Sequence, residues 1–434
     1  MLDDYICYSA LGDFEERFHN TAIKKGKSLA FLFYWSQVIL LVPTFFKNSL
    51  YWSFEMFKNY FKLGSRNIIK HKGFSFINIT GLALGFALFI LVALYVQFEL
   101  SFDRFHENQD RIYRVEQVLA HESSMEPTAG CPTALAAALS TDMAGFEGIS
   151  KVLRHGLDIT TSDNRTFGER DVFAVDNTFL DIFTFPLLKG DSSTALIEPY
   201  SLVITESLAK RFFGIKEPIG QVIRANNQFD LTITGVIEDV PNNSHLRFNA
   251  LLSVSTYPAL YGTDVFNRWA DNWVPLYVLL EPKQSFQETN EKLLTFLKKY
   301  QGETSRNELY LRPLNRIHLY SDVNSEFAVV GSINNIYIFI AISIFVLIIA
   351  CINFMNLSTA RSADRAREVG MRKVVGAHRS SLIRQFLCES FLTVLFAMVL
   401  GILLAKFLLP EFNQIVSRQL SLSLLNNWTF TLGL

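Results

Sequence analysis

Apolar and polar positions along this chain separate on the scale of whole domains. Three runs, Phe74–Gln97, Asn335–Leu357 and Phe386–Leu409, are almost wholly apolar and carry no charge at their centres. A bilayer's hydrocarbon core takes about 20 apolar residues of helix. Inside lipid, only helices or closed barrels satisfy their own backbone hydrogen bonds. The pattern therefore predicts transmembrane helices over 74–97, 335–357 and 386–409. The long polar segment between the first two, residues 98–334, is predicted to be a water-exposed domain inserted between them.

Within the inserted segment, Ser201–Thr205, Leu231–Ile237 and Leu276–Glu281 are rich in β-branched and apolar residues and predict strands. Thr205 is placed to cap a helix over Glu206–Phe213, with Gly214 as its stop. Ser285 and Glu288 form a capping box for a helix over Phe286–Tyr300, with Lys298 and Lys299 in its last turn. Strands and helices alternate irregularly, so the segment reads as α+β.

Composition agrees with a membrane protein, at 50% hydrophobic and 19% charged residues. The net charge of −1 conceals an asymmetry that sets orientation. Glu99–Asn334 carries 31 acidic against 21 basic residues. Lys47–Gly73, before the first span, carries Lys47, Lys58, Lys62, Arg66, Lys70 and Lys72 against Glu55. The loop 358–385 carries seven basic residues against Asp364 and Glu368. Basic loops stay in the cytoplasm, so both basic segments are expected inside and the acidic domain outside. Of the cysteines, Cys351 and Cys388 fall in spans and Cys7 inside. Cys131 alone falls in the outer domain, which then holds no internal disulfide and relies on its core.

The flanks refine this topology. Residues 1–55 read as a small cytoplasmic helical prefix. Its apolar stretch Leu29–Phe46 is short, contains Ser36, Gln37 and Pro43, and would reverse the charge topology if it crossed; it reads as an interfacial or docked helix. Residues 56–73 are either an amphipathic helix on the inner leaflet or a plain basic flank, and the topology is the same for both. Residues 410–434 read as an extracytoplasmic segment followed by the start of a fourth span at Trp428, so the sequence reads as a fragment.

Signals for catalysis are absent. There is no phosphate loop of the form G-x-x-x-x-G-K-[ST], no H-E-x-x-H and no paired C-x-x-C, so no catalytic residue, metal or bound cofactor is expected in this chain. The cytoplasmic loop carries more information. Arg367, Glu368, Val369, Gly370, Met371, Arg372, Lys373, Val374 and Gly376 combine helical apolar spacing with basic residues and two glycines, which are expected to interrupt the helix. A plain basic loop needs the charges but not this spacing. A short amphipathic helix docking on a soluble partner needs both. Gly81 and Gly85 form G-x-x-x-G, either a helix-packing stripe or a chance pattern in an apolar segment. Asn353 and Asn356 are placed to bond across helices. Glu389 reads as an acid at the N-terminus of the third span.

At these residues the chain resembles a known family, the MacB-like and FtsX-like permeases of ABC transporters, in the form with an N-terminal prefix. Met56–Gly85 is similar to the family's opening segment. Ile204–Gly220, Ile233–Phe248 and Pro313–Ser321 are similar to its extracytoplasmic core domain, and Arg367–Ala377 to its cytoplasmic loop. Leu11–Phe18 and Tyr34–Val38 resemble the prefix. The resemblance implies that a separate cytoplasmic ABC ATPase binds ATP and Mg, moves the helix around Glu368–Gly376, and drives the outer domain through the spans. It implies four spans per unit, completed by a second copy or a missing second half. A periplasmic adaptor or outer-membrane channel and surrounding membrane lipid are further expected partners, with no nucleic acid.

The resulting expectation is a permease subunit of an inner-membrane exporter of a drug, peptide or lipoprotein-like substrate. The alternative is a non-transporting regulator of the FtsX type, acting on a cell-envelope hydrolase or in sensing an antimicrobial peptide. A sensor-type receptor would need a signalling domain after the second span, and only the 28 residues of 358–385 stand there.

Overall fold

A computed structural model describes residues 72–120, 124–160, 166–323, 326–327, 330–360, 362–376 and 378–422, with isolated helical residues between 23 and 70. The expected prefix, the stretch Leu29–Phe46, Cys7, most of 56–71 and the segment from Trp428 lie outside these residues, apart from those isolated positions.

Three long helices are apolar enough to cross a membrane by length and composition: α1 (Lys72–Leu100), α9 (Ile333–Ala360) and α11 (Arg379–Val416). Each extends beyond its apolar run. α11 begins within the basic loop and continues through Pro410. The remaining helices are α2 (Leu135–Asp142), α3 (Phe179–Ile182), α4 (Glu206–Phe213), α5 (Thr256–Tyr261), α6 (Phe286–Phe296), α7 (Lys298–Gln301), α8 (Leu314–Tyr320) and α10 (Ser362–Val374).

The chain forms two compact units. One comprises the stretch up to Phe89 together with Phe345–Phe407; the other comprises Ile90–Ile344 together with the chain from Leu408. The first is a helical bundle. Leu82 of α1, Ala350 of α9 and Ala397 of α11 form its small buried core. Most other apolar side chains of α9 and α11 face outward, among them Phe345, Ile349, Leu387 and Leu403. That is the pattern of helices solvated by lipid.

The second unit is α+β. Among the described residues it contains an eleven-stranded mixed sheet. The strands are β1 (Ile112–Ala120), β2 (Met125–Thr128), β3 (Cys131–Pro132), β4 (Phe146–Thr160), β5 (Thr166–Val175), β6 (Leu187–Lys189), β7 (Ser201–Thr205), β8 (Val222–Ala225), β9 (Phe229–Ile237), β10 (Ala250–Ser253), β11 (Asn272–Val274), β12 (Leu276–Leu280) and β13 (Glu308–Pro313). The main path runs β13-β1-β12-β4-β5-β10-β7-β9-β6; β2 joins β1, β8 bridges β4 and β9, and β11 pairs separately with β3. β5–β10 and β7–β9 are parallel and the other pairs antiparallel.

The caps form where their residues require. Thr205 Oγ1 accepts the Leu208 N–H, and Gly214 ends α4 at φ 62°, a left-handed position open to glycine. Ser285 accepts the Glu288 N–H. The helix expected to run unbroken to Tyr300 divides at Leu297, which is fully buried, into α6 and α7. The sheet has apolar layers on both faces. One is built around Leu135, Leu157, Ile233 and Leu293, the other around Phe173, Phe179, Phe183 and Tyr277. Burial on both faces is why several strands read as continuous apolar runs.

Candidate functional site

The basic loop folds as α10, a helix of mixed charged and apolar residues. Arg372 and Lys373 lie in its last turn, where cations complement the helix C-terminus. The Gly376 N–H bonds the Lys373 carbonyl at 3.0 Å, and Gly376 turns the chain at φ 94°. Gly370, expected to interrupt the helix, sits inside it; open space surrounds the position a Cβ would occupy, and helical hydrogen bonding carries through at a small cost in chain entropy. Glu368 is helical, Arg367 and Lys373 are exposed and Val369 is half-buried. Met371, Val374 and Val375 are 71%, 89% and 88% exposed. At spacings of three and four they form one apolar stripe.

Arg372 does not project freely. Its Nη1 donates to Gln385 Oε1, and Gln385 Nε2 donates to Glu389 Oε1 at 3.1 Å. Gln385 and Glu389 are both buried. This relay fastens α10 to α11. It also corrects the reading of Glu389: because α11 begins at Arg379, Glu389 lies inside the helix, and the Gln385 amide answers it in place of a helix N-terminus.

Gly81 and Gly85 face α9. A Cβ at Gly85 would meet Ala350 Cβ at 3.0 Å, and one at Gly81 would meet Asn353 Nδ2 at 3.4 Å. Among the glycines of the three long helices the tightest approach is at Gly401 of α11, where a Cβ would come within 2.8 Å of Phe86 Cβ and 3.1 Å of the Ala83 carbonyl oxygen. Ala397, Gly401 and Ala405 repeat at four-residue spacing and are all buried. This small-residue stripe was legible in the sequence and is a packing site additional to Gly81 and Gly85.

In the α+β unit, buried ions gather around the last turn of α1. Glu99, in the last turn of α1, is completely buried. Its Oε2 lies 2.6 Å from His318 Nε2 on α8, and its Oε1 accepts from Arg418 Nε at 2.6 Å. The His318 ring stacks on Phe102, and Gly331 packs so closely that a Cβ there would lie 2.6 Å from Glu99 Oε2. One carboxylate thus joins the end of α1, helix α8 and the chain following α11.

A second cluster secures the linker into α9. Arg114 on β1 is fully buried and stands in register between Tyr277 of β12 and Arg312 of β13. Its guanidinium bonds Glu116 and both oxygens of Glu326, at 2.7 and 2.6 Å. Arg312 bonds Glu116 in turn and reaches Asp322. Burial alone would lower the Arg114 pKa, but the hydrogen bond and charge of Glu326 outweigh it and raise the pKa. Burial likewise pushes Glu326 up, and its bond to Arg114 reverses this to a net lowering. Both groups are held ionised.

Beside the end of α1, Asp103 takes a left-handed conformation at φ 58° and accepts the His245 N–H at 3.0 Å. Its Oδ2 lies 2.9 Å from His245 Nδ1, an ion-pair distance without hydrogen-bond alignment, and His245 Nε2 meets the Tyr277 hydroxyl at 2.8 Å. Together, Asp103, His245 and Tyr277 have the composition of a proton relay, but all are buried, and their contacts hold the loop 242–247 in place. Among the described residues no group of three or more His, Cys, Asp or Glu is placed to hold a metal.

The family model of the MacB-like periplasmic core domain matches residues 75–296, and that of the FtsX-like permease C-terminal region matches residues 340–434. The macrolide export ATP-binding/permease protein MacB of Shewanella sp. (strain W3-18-1) is 28% identical over 225 residues, covering 52% of this chain and 32% of that protein. MacB 1 of Yersinia pestis bv. Antiqua (strain Antiqua) is 23% identical over 286 residues, 63% of this chain and 41% of that protein. The matched part is thus about a third to two fifths of the length of these curated relatives. A solved domain of a permease protein from Porphyromonas gingivalis is 26% identical, covers 49% of this chain and 94% of its own, and superposes with a TM-score of 0.42.

Proposed function

This chain belongs to the MacB-like and FtsX-like ABC transporter permeases, and from that membership we propose that it couples a separate cytoplasmic ATPase to movement of its inserted domain. The observation that carries this reading is the stripe of Met371, Val374 and Val375 on α10. Three large apolar side chains extend from the end of a charged helix, and no described residue covers them. Such anchors suit an apolar groove on a partner. The relay from Arg372 through Gln385 to Glu389 supports the same reading, because it ties the stripe to α11. α11 in turn runs on to the segment that bonds Glu99. A push on α10 then has a route along one continuous helix to Arg418 and its bond with Glu99.

ATP and Mg are assigned to the partner subunit. The basic loop is placed on the cytoplasmic face of an inner membrane and the acidic domain outside, with a drug, peptide or lipoprotein-like molecule as cargo. A second permease unit, and an adaptor or outer channel on the far side, would complete the machine.

The test is reconstitution with the partner ATPase in vesicles, comparing the native chain with Met371→Ser, Val374→Ser and the double variant. Each apolar anchor at an interface is worth about 1–2 kcal/mol, so assembly should weaken by about tenfold per anchor. Cargo-stimulated hydrolysis should fall with it, while insertion and the folding of the domain are unchanged. Full stimulation in the double variant would refute the docking role. Stimulation by a cell-envelope hydrolase in place of any cargo would favour the regulator of the FtsX type.

A further inference from the structure

A cavity of about 390 Å³ opens beside the ionic junction, and the function proposed above makes no use of it. Its floor is Phe98, in the last turn of α1. Asn413, Gln414 and Ser417 line it from the end of α11, Arg418 and Gln419 from the chain beyond, and Asn242 and Arg247 from the loop after β9. Among the described residues no carboxylate lines it, and two guanidinium groups do. Arg418 uses Nε for Glu99. Arg247 uses Nη2 for the Asn242 backbone and side-chain oxygens, at 2.9 and 3.0 Å.

The site is built, not incidental. Asn242 Nδ2 donates to Gln419 Oε1 at 3.1 Å, closing the loop onto the segment after α11. Asn413 Oδ1 and Nδ2 hold the Leu420 backbone at both ends, and Ser417 turns the chain at φ 51° so that Arg418 faces back toward Glu99. From below, the loop is held by Asn243, which donates to the Ser101 carbonyl, and by the Asp103–His245 contact. Burial lowers the Arg247 pKa, the Arg418 charge lowers it further, and Asp171 opposes both. Two like charges are thus held near each other in a cavity lined by four side-chain amides and the Ser417 hydroxyl. An anion there would relieve the repulsion and accept the remaining N–H donors.

We propose that this cavity binds a phosphate-class oxyanion, presented by the headgroup of a phospholipid in the adjoining leaflet. The placement favours a lipid source. The cavity lies at the ends of two helices that are apolar enough to span a membrane, and headgroups stand just beyond the hydrocarbon core. Arginine pairs a phosphodiester in a planar, bidentate geometry that suits this position. The Phe98 floor gives the glycerol carbons an apolar surface. A lipid held here would bridge the first and third spans and the domain loop at the place where Glu99 joins them.

The test uses the full chain in an uncharged maltoside micelle, stripped of lipid. It is titrated with a short-chain phosphatidylglycerol, with the matching diacylglycerol and with inorganic phosphate. Phosphorus line broadening follows the two phosphorus compounds, and the thermal midpoint follows all three. Saturable binding of phosphatidylglycerol is expected, without saturable binding of the diacylglycerol. Arg247→Gln should weaken it by about tenfold, the loss of one charge-assisted hydrogen bond. Arg247→Lys, which keeps the charge and loses the planar fork, should bind more tightly than Arg247→Gln and more weakly than the native chain. Arg224→Gln, which removes an exposed arginine paired with Asp230 outside the cavity, should leave it unchanged. Circular dichroism confirms that each variant is folded. Equal binding of lipid and diacylglycerol, or an Arg247→Gln variant that binds like the native chain, overturns the proposal. Inorganic phosphate that binds as tightly as the lipid and displaces it overturns the lipid source and assigns the site to a soluble oxyanion. None of these readouts involves an ATPase, so they stand apart from the docking test.

Discussion

Arg418 Nε donates to Glu99 Oε1 over 2.6 Å, so the chain leaving α11 is fixed to the last turn of α1. The same carboxylate is 2.6 Å from His318, which brings α8 into the junction. Replacing Glu99 with glutamine keeps the shape and removes the charge. The Arg418 side chain, 18% exposed, would then lack its counter-ion in a site mostly closed to water. Breaking a fully buried pair from one side costs about 3–5 kcal/mol, and the partial exposure of Arg418 brings the expected loss to about 2–3 kcal/mol. Denaturant unfolding of the full chain measures it. A change of less than about 0.5 kcal/mol, the scale of an ordinary surface substitution, would show that the junction contributes nothing to stability.

Gly401 is the second point of control. A side chain there must displace Phe86 or the backbone of α1, because the nearest atoms are 2.8 and 3.1 Å from the Cβ position. Overpacking of this kind costs about 1–3 kcal/mol. Gly401→Leu should therefore separate α1 from α11, whereas Gly370→Ala, with open space around it, should be neutral or slightly stabilising. Disulfide trapping between cysteines introduced at Ala83 and Ala397 offers a direct measure of the packing. Unaltered trapping in Gly401→Leu would rule out the close approach.

Cys131 bears on how orientation is measured. The thiol is fully buried, its Sγ lies 3.4 Å from the Val115 carbonyl oxygen, and burial pushes its pKa up. The reactive thiolate is therefore scarce and sheltered. A membrane-impermeant maleimide should leave Cys131 unlabelled from either side until the domain is unfolded. A cysteine placed at Ile215, which is fully exposed, should react from the outside alone under the orientation proposed above. Labelling at that position only from the cytoplasmic side would invert the topology.

These contacts show what the residue pattern could and could not reveal. The spans were legible because hydrocarbon imposes a length and a composition that, among the described residues, only these three helices meet. Thr205 and Gly214 were legible because caps are local. β4 was not: Arg154, His155, Gly156 and Asp158 interrupt its apolar alternation, and the register shifts between His155 and Leu157. The Arg114 cluster was hidden for a different reason. Arg114 and Glu116 stand two residues apart on one strand face, a spacing that ordinarily marks a solvated surface. Only Glu326 and Arg312, distant in sequence, turn it into a buried network. The Glu99–Arg418 pair joins positions 319 residues apart, and no local pattern specifies it. Arg372 is expected from its spacing to belong to a docking loop, whereas its bond to Gln385 depends on how α10 folds back on α11.

His106 gives the domain a pH dependence whose sign follows from its surroundings. It lies against Phe105, Phe183 and Phe185, its Nδ1 accepts the Thr184 N–H at 3.0 Å, and its Nε2 has no hydrogen-bond partner among the described residues. Burial, reinforced by the His245 charge and opposed by Asp103, lowers its pKa from 6.5 to about 4. Above pH 6.5 the ring is neutral in both folded and unfolded chains, and stability is at its full value. As pH falls from 6.5 toward 4, the unfolded chain takes up a proton that the folded chain refuses, so stability declines. Below 4 both forms are protonated and the decline from this group ends. A shift of this size corresponds to about 3 kcal/mol across the window. His106→Asn keeps an acceptor for Thr184 and removes the titration. Between pH 7.5 and 4.5, the unfolding free energy of the native chain should therefore fall by about 2–3 kcal/mol more than that of the variant. Parallel pH profiles for the two proteins would mean that the ring is hydrated in the folded state, which its enclosure by three phenylalanines argues against.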